Sequence, residues 1–336
     1  MTGPVQLAAI IVGAGLVSCL GTRALIPLLR RGAVLDHPNE RSSHDAPIPR
    51  GGGIAVVVAI LGAWLALIVA GVVLPRLLAV LAGALLIALV SWLDDLRGLP
   101  AAVRLLVQLV AVGIAILAAL PTGPVFQGWL PPALDAAAAA LLWLWFVNLF
   151  NFMDGIDGLA GSEAASIAIG LVLIAGLGAG YSPALAALAA AVAAAALGFL
   201  VWNWAPARIF LGDVGSVPLG YLLGFLLLSL ATRGLWQPAL ILPLYFLADA
   251  TLTLLRRLAR GERVWQAHRR HFYQRAVQRG LDHAVVVRRV ILANLLLIAC
   301  AGASVNGAGI VALAAAAAVV ITLLASLAGI WRRRPA

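Results

Sequence analysis

LDAAAAALLWLWFVNLFNFMDGIDGLAG, Leu134 to Gly161, decides between a soluble and a membrane fold. From Leu134 to Phe150 only Asp135 and Asn148 interrupt the apolar run, which is long enough to cross a bilayer as a helix. The run then ends on two carboxylates, Asp154 and Asp157, set among glycines. Apolar segments of this kind recur from one end of the chain to the other. The 336 residues are 63% hydrophobic and 11% charged, whereas soluble domains have about 45–50% apolar and about 25% charged residues. So much apolar surface cannot be hidden from water, so the solvent is lipid. A β-barrel would show short alternating segments instead.

The expected fold is all-α: a polytopic transmembrane helical bundle of about eleven spans in a single integral-membrane domain, residues 1–336. The spans run near Pro4–Leu28, Gly53–Ala70, Leu77–Leu93, Ala101–Leu120, Leu134–Phe150, Gly161–Leu177, Pro183–Val201, Val217–Ala231, Pro238–Leu255, Val287–Ala301 and Gly307–Ile330. The first segment lacks a basic leader region and reads as a spanning helix, not a cleaved signal peptide. The Ala-rich tracts around Ala136 and Ala314 suit close helix packing in lipid. Cys19 and Cys300 each fall in an apolar run, as packing residues and not as a disulfide or zinc site.

The chain carries a net charge of +10 and no lysine. Of the 23 arginines, 20 fall in connections on one side of the expected bundle, ten of them between Arg256 and Arg289. The positive-inside rule makes that side cytoplasmic, with the N-terminus outside and the C-terminus inside. Anionic lipid headgroups, not nucleic acid, account for the basic balance.

Ten of the thirteen acids fall on the same side: Asp36, Glu40, Asp45, Asp94, Asp95, Asp154, Asp157, Asp213, Glu262 and Asp282. Asp135 lies opposite, and Glu163 and Asp249 lie in or beside spans. Each acidic piece has a plain alternative. Asp94-Asp95 can cap a helix end, Asp213 after Gly212 can open a helix, and His268 and His271 can be ordinary loop residues. Asp249 can pair helices or line a site. Convergence on one face favours a site. Clustered carboxylates in basic surroundings suit a hard cation such as Mg²⁺, which shares its oxygen ligands with substrate phosphates. Asn151, Asp154 and Asp157 recur every three residues, so a continuing helix would set them on one face. Gly155 and Gly158 would admit a ligand close to the backbone. Arginine and histidine can hold phosphate oxygens, and phosphoryl transfer needs mainly positioning and charge neutralisation. Without lysine there is no Walker A loop. A nucleotide base would stack on an aromatic ring, for which Phe210 is placed.

Together these pieces resemble the polyprenyl-phosphate N-acetylhexosamine-1-phosphate transferases, which begin O-antigen, teichoic acid and peptidoglycan lipid intermediates. The resemblance runs from Asp36 to about Arg279. Its motifs are D-x-P-x-x-R-x-x-H followed by P-R-G-G-G (Asp36, Pro38, Arg41, His44, Pro49 to Gly53), the pair Asp94-Asp95, N-x-x-N-x-x-D-G-x-D-G-L from Asn148 to Leu159, and N-x-x-P-A-x-x-F-x-G-D-x-G-S from Asn203 to Ser216. The last loop reads His268-Arg269-Arg270-His271 where many relatives carry a denser histidine triplet. That resembles the branch initiating O-antigen and related glycans.

The resemblance implies an enzyme of the cytoplasmic (inner) membrane with its site on the cytoplasmic face. Undecaprenyl phosphate would attack the β-phosphorus of a UDP-N-acetylhexosamine and release UMP. Asp213 and Asn151 would ligate Mg²⁺, with Mn²⁺ the alternative ion, and Asp154 would help position it. Asp94 or Asp95 would orient or deprotonate the lipid phosphate, and Asp157 would order the loop or meet the nucleotide. Phe210 would stack on uracil, and Arg50, His268 and His271 would hold phosphate or sugar oxygens. Asn148 and Asn203 would line the substrate pocket. The relatives also imply a homodimer. An intramembrane prenyltransferase would want its N-D-x-x-D cluster twice, and a transporter would want its polar site near the midplane. Neither pattern is present.

Overall fold

The computed structural model describes residues 3–36, 47–176, 182–263, 266 and 268–329. Pro38, Glu40, Arg41, His44 and Asp45 lie outside them. Apolar runs punctuated by Pro and Gly give thirteen α-helices among the described residues: α1 Pro4–Arg31, α2 Gly53–Val69, α3 Leu78–Arg97, α4 Ala101–Ala118, α5 Pro132–Phe152, α6 Leu159–Ala175, α7 Pro183–Asn203, α8 Asp213–Ala231, α9 Trp236–Ile241, α10 Leu244–Ala259, α11 Phe272–Gln278, α12 His283–Val305 and α13 Gly309–Leu327. Proline opens α1, α5 and α7, where a missing N–H costs nothing. A two-residue antiparallel pair, β1 Leu35–Asp36 and β2 Ile48–Pro49, follows α1.

Eight of these helices are long and apolar enough to cross a membrane: α1, α3 with the turn before it, α4, α5, α7, α8, α12 and α13. The protein is therefore a polytopic helical membrane protein. α2 and α6 are apolar but shorter. The expected span Pro238–Leu255 is not one helix. Proline cannot supply the N–H that an unbroken helix needs at Pro243, and the segment divides there into α9 and α10.

α8 is the buried axis, with every residue from Val214 to Ala231 removed from the surface. α2, α3, α5 and α6 pack around it. Outer helices keep large apolar side chains exposed, as on α1 at Val5, Val12, Leu16 and Leu20 and on α12 at Leu292 and Leu295. Lipid tails suit such faces. In a core without water each indole N–H needs a protein acceptor. Trp143 donates to the Tyr221 carbonyl at 2.9 Å while stacking on its ring, and Trp64 donates to Leu188 at 3.0 Å. Asp135, at the bundle end remote from Asp213, is also occupied. Its two oxygens accept from Val125 N and Phe126 N at 2.9 Å each.

Candidate active site

The ends of α2, α3, α5 and α8 meet at one end of the bundle, and two connecting segments seal the join. Phe210 N donates to Pro49 O at 2.8 Å, Gly52 N to Phe210 O at 2.9 Å and Gly53 N to Leu211 O at 2.8 Å. This ribbon carries Arg50 to the first turn of α8. One guanidinium nitrogen, Nη2, lies 2.7 Å from Asp95 Oδ1 and 2.6 Å from Asp213 Oδ1. Asp95, whose side chain is fully buried, also accepts from the backbone N–H groups of Asp213 (3.2 Å) and Val214 (3.0 Å). It therefore caps α8 from a neighbouring helix, where the helix dipole favours a negative charge. Asp94 accepts from Leu99 N at 2.5 Å and from Arg104 Nη1 at 2.6 Å, and Arg104 lies 3.7 Å from Asp213 Oδ2. Two adjacent carboxylates thus hold two different arginines against Asp213. Both oxygens of each side chain meet protein donors here, Asp94 beside Arg104 and Asp95 beside Arg50.

Asn151, near the end of α5, donates through Nδ2 to Asp213 Oδ1 at 3.2 Å and to Ser216 Oγ at 2.9 Å. α5 ends at Phe152, so Asp154 and Asp157 follow a turn and do not continue its face as the spacing suggested. Gly158 stands at φ 76°, the left-handed region that glycine tolerates, and redirects the chain into α6. Gly155 does not admit a ligand as expected. The Tyr273 hydroxyl stands 2.2 Å from where a Cβ would sit.

Asp157 and Asn203 brace the loops. Asp157 Oδ2 accepts from Ala207 N at 3.0 Å, and its Oδ1 lies 3.4 Å from His283 Nδ1. Loop ordering is the geometry found for Asp157. Asn203 is buried, accepting from Gly158 N at 3.0 Å and donating to Ile209 O at 2.9 Å. Both ends of its amide are occupied, so Asn203 is a strut between the two loops. Asn148 donates to Gln108 Oε1 at 2.7 Å and to Leu144 O at 2.8 Å, one turn below Asn151.

The histidines gather on a separate post. His271 Nδ1 lies 3.2 Å from Asp249 Oδ1, and its ring is 4.9 Å from that of His268. Burial, the neighbouring His271 and the positive charges of Arg257 and Arg270 push His268 down to about 4. His268 is therefore a neutral hydrogen-bonding ring, accepting from Arg270 N at 3.2 Å. Glu163 stands apart, within α6, where Asn294 donates to it at 2.7 Å. Asp249 meets His271, one of the two alternatives its sequence position leaves open. Ser216 closes a quoted motif, but nothing local in the sequence marks Arg104 or His283.

Asp154 keeps part of its surface open yet is crowded by protein. That burial, then the charge of Asp213, lifts its carboxyl to about 7, with Arg50 opposing. The unfolded chain releases this proton near the ordinary carboxylate value of 3.8, so ionisation increasingly penalises the folded state as pH rises from about 4 to about 7. Asp154→Asn is expected to melt with the parent at pH 4 and above it at pH 8, by roughly 2 kcal/mol after allowance for solvent screening. Thermal melts in detergent across that range check it, and a gap independent of pH would refute the ionisation argument.

Residues 77–231 match the model of glycosyl transferase family 4. A probable undecaprenyl-phosphate N-acetylglucosaminyl 1-phosphate transferase of Bacillus subtilis (strain 168) is 32% identical over 298 residues, 84% of this chain and 81% of that protein. A decaprenyl-phosphate N-acetylglucosaminephosphotransferase of Mycobacterium tuberculosis (strain ATCC 25618 / H37Rv) is 28% identical over 325 residues, 85% and 78% of the two chains. A phospho-N-acetylmuramoyl-pentapeptide-transferase of Synechococcus sp. (strain RCC307) is 36% identical over 198 residues, 54% of each.

Proposed function

The chain belongs to glycosyl transferase family 4, the polyprenyl-phosphate N-acetylhexosamine-1-phosphate transferases, and from that membership we propose the reaction it performs. An oxygen of undecaprenyl phosphate attacks the β-phosphorus of a UDP-N-acetylhexosamine. The bond from that phosphorus to the bridging oxygen breaks, and UMP leaves with the oxygen. The polyprenyl-diphospho-sugar left behind initiates a cell-surface glycan, an O-antigen or a cell-wall polymer. The names of the relatives favour N-acetylglucosamine as the sugar.

The observation that carries this reading is the sharing of Arg50 between Asp95 and Asp213, with Asn151 alongside. The donor set is hard oxygen, with the carboxylates of Asp95, Asp154 and Asp213 close enough to act on one another. It fits a hard divalent cation, Mg²⁺ or alternatively Mn²⁺. Among the described residues no three acidic, histidine or cysteine side chains form a complete metal cage. Few protein ligands with phosphate oxygens and water completing the shell is the habit of Mg²⁺. Asp213 and Asn151 would hold it, with Asp154 beside them, and its chemistry is to neutralise the diphosphate.

The chain's own residues do the rest. Arg50 and Arg104 hold phosphate oxygens and orient the acceptor, each fixed from behind by Asp95 or Asp94. Phe210 stacks on uracil, and His271 and His268 meet phosphate or sugar oxygens. The arginine distribution supports a cytoplasmic setting for this end of the bundle, on the side where nucleotide sugars are made. It also favours eleven passages through the inner membrane, counting the shorter α2 and α6 and the broken α9–α10 unit. A homodimer is the proposed assembly.

The test is nucleotide release by purified protein in detergent, given undecaprenyl phosphate, Mg²⁺ and UDP-N-acetylglucosamine, then other UDP-sugars. UMP should appear only with the lipid phosphate present; release of UDP would mean ordinary glycosyl transfer and overturn the reaction. Phe210→Ala should raise the donor KM roughly tenfold, since base stacking contributes about 1–3 kcal/mol. An unchanged KM would remove the stacking role.

A further inference from the structure

Asp249 sits on α10, after the break at Pro243, and is completely buried. Five donors converge on its carboxylate. Oδ1 receives Phe272 N at 3.0 Å, His271 Nδ1 at 3.2 Å and Thr253 Oγ1 at 3.3 Å. Oδ2 receives Tyr273 N at 3.3 Å and Tyr245 Oη at 3.4 Å. Three of the five come from consecutive residues of the histidine loop. A buried carboxylate is costly unless its oxygens are satisfied, and here the loop supplies most of that satisfaction. The same loop reaches the acidic cluster. Tyr273 stacks on His271, rings 5.7 Å apart and 16° from parallel, and its hydroxyl donates to Phe152 O at 3.1 Å, at the end of α5. Asp249, His271, Tyr273 and the turn bearing Asp154 thus form one connected support.

An ionised carboxylate only accepts, so donation from His271 Nδ1 to Asp249 is the tautomer in which Nε2 carries no proton unless the ring is charged. We propose that Asp249 is a positioning residue for the transfer: it fixes the tautomer and plane of His271 and so presents Nε2 to the substrate. This rests on the reaction proposed above and on His271 meeting the substrate there. Carboxylates behind metal-bound histidines change affinity or activity by about 10–100-fold, and an effect of that order is expected behind His271.

The experiment compares Asp249→Asn, His271→Ala and the double variant for UMP release, with melting temperatures and ¹⁵N-histidine spectra. Asp249→Asn keeps the shape of the hub but no longer dictates the tautomer. It should lower kcat roughly 50-fold while the donor KM moves less than about threefold. In the parent spectra His271 should carry its proton on Nδ1, and in Asp249→Asn that preference should weaken. Added to His271→Ala, Asp249→Asn should cause little further loss, because the two act as one unit. Independent losses that multiply in the double variant would overturn the proposal, leaving Asp249 a fold-holding residue. So would a parent spectrum with the proton on Nε2, or a His271→Ala variant at full activity. A parent that releases no UMP would instead defeat the reaction itself, whatever the spectra show.

Discussion

Asp213→Asn is expected to lower UMP release by roughly 10³-fold, a loss typical when a charge that organises a transferring phosphoryl group is removed. The side chain is the point where the site's cations and polar groups meet. Arg50 lies 2.6 Å from one of its oxygens, Arg104 lies 3.7 Å from the other, and Asn151 donates at 3.2 Å. It also keeps 18% of its surface open, whereas Asp95 has none. Asparagine preserves the shape and the start of α8 but removes the charge on which Arg50, Arg104 and the proposed cation depend. The loss should fall on kcat, with the melting temperature within a few degrees of the parent. Cation binding followed by Mn²⁺ paramagnetic resonance should weaken in parallel. A variant with full Mg²⁺-dependent turnover would remove Asp213 from the proposed cation site.

Gly53→Ala should be the most damaging substitution outside the charged cluster. A Cβ at Gly53 would lie 2.2 Å from Gly215 Cα and 2.4 Å from Gly215 N, against backbone that has no rotamer to yield. α2 and α8 would have to separate by more than an ångström at the point where the ribbon bearing Arg50 joins α8. Overpacking of a close-packed core costs about 1–3 kcal/mol where side chains can shift, and here the cost should reach roughly 3 kcal/mol or more. Turnover should fall with stability because Arg50 and Asp213 would be moved apart. Gly62, on the same helix, faces open space, so Gly62→Ala should be neutral or raise stability by about 0.5–1 kcal/mol. Thermal melts of the two variants in one detergent make the comparison, and equal melting temperatures would refute the close-contact argument.

Much of this molecule is legible in the sequence because lipid imposes a coarse rule. Runs of apolar residues announced the helices, and the drift of carboxylates to one set of connections announced the site. Composition misread the segment near Pro243, where the apolar pattern continues through a break in backbone hydrogen bonding. Spacing misread Asp154 and Asp157, because three-residue periodicity describes a helix only while the helix lasts, and Gly155 and Gly158 follow its end. The glycines were legible as close approaches but not as to what approaches. At Gly155 it is Tyr273, 118 positions later in the chain. Asp94 and Asp95 look equivalent in sequence, yet helical rotation turns one toward Arg104 and the other toward α8. Asp249 is legible as a candidate between helix pairing and site lining, but not in which partners it takes, since His271, Phe272 and Tyr273 lie more than 20 residues away and form no motif with it.

The pairing of Arg50 with Asp213 has a consequence for synthesis. The two residues are 163 positions apart, and a ribosome adds about 5–20 residues per second. For roughly 8–33 s each nascent chain therefore has its arginine in place without the carboxylate that completes the cluster. Until α8 is threaded, the bundle also lacks its axis. A translation product that stalls before that point lacks both the cluster and the axis, so under the proposed reaction an aborted chain in the bilayer cannot drain the pool of nucleotide sugar or carrier lipid.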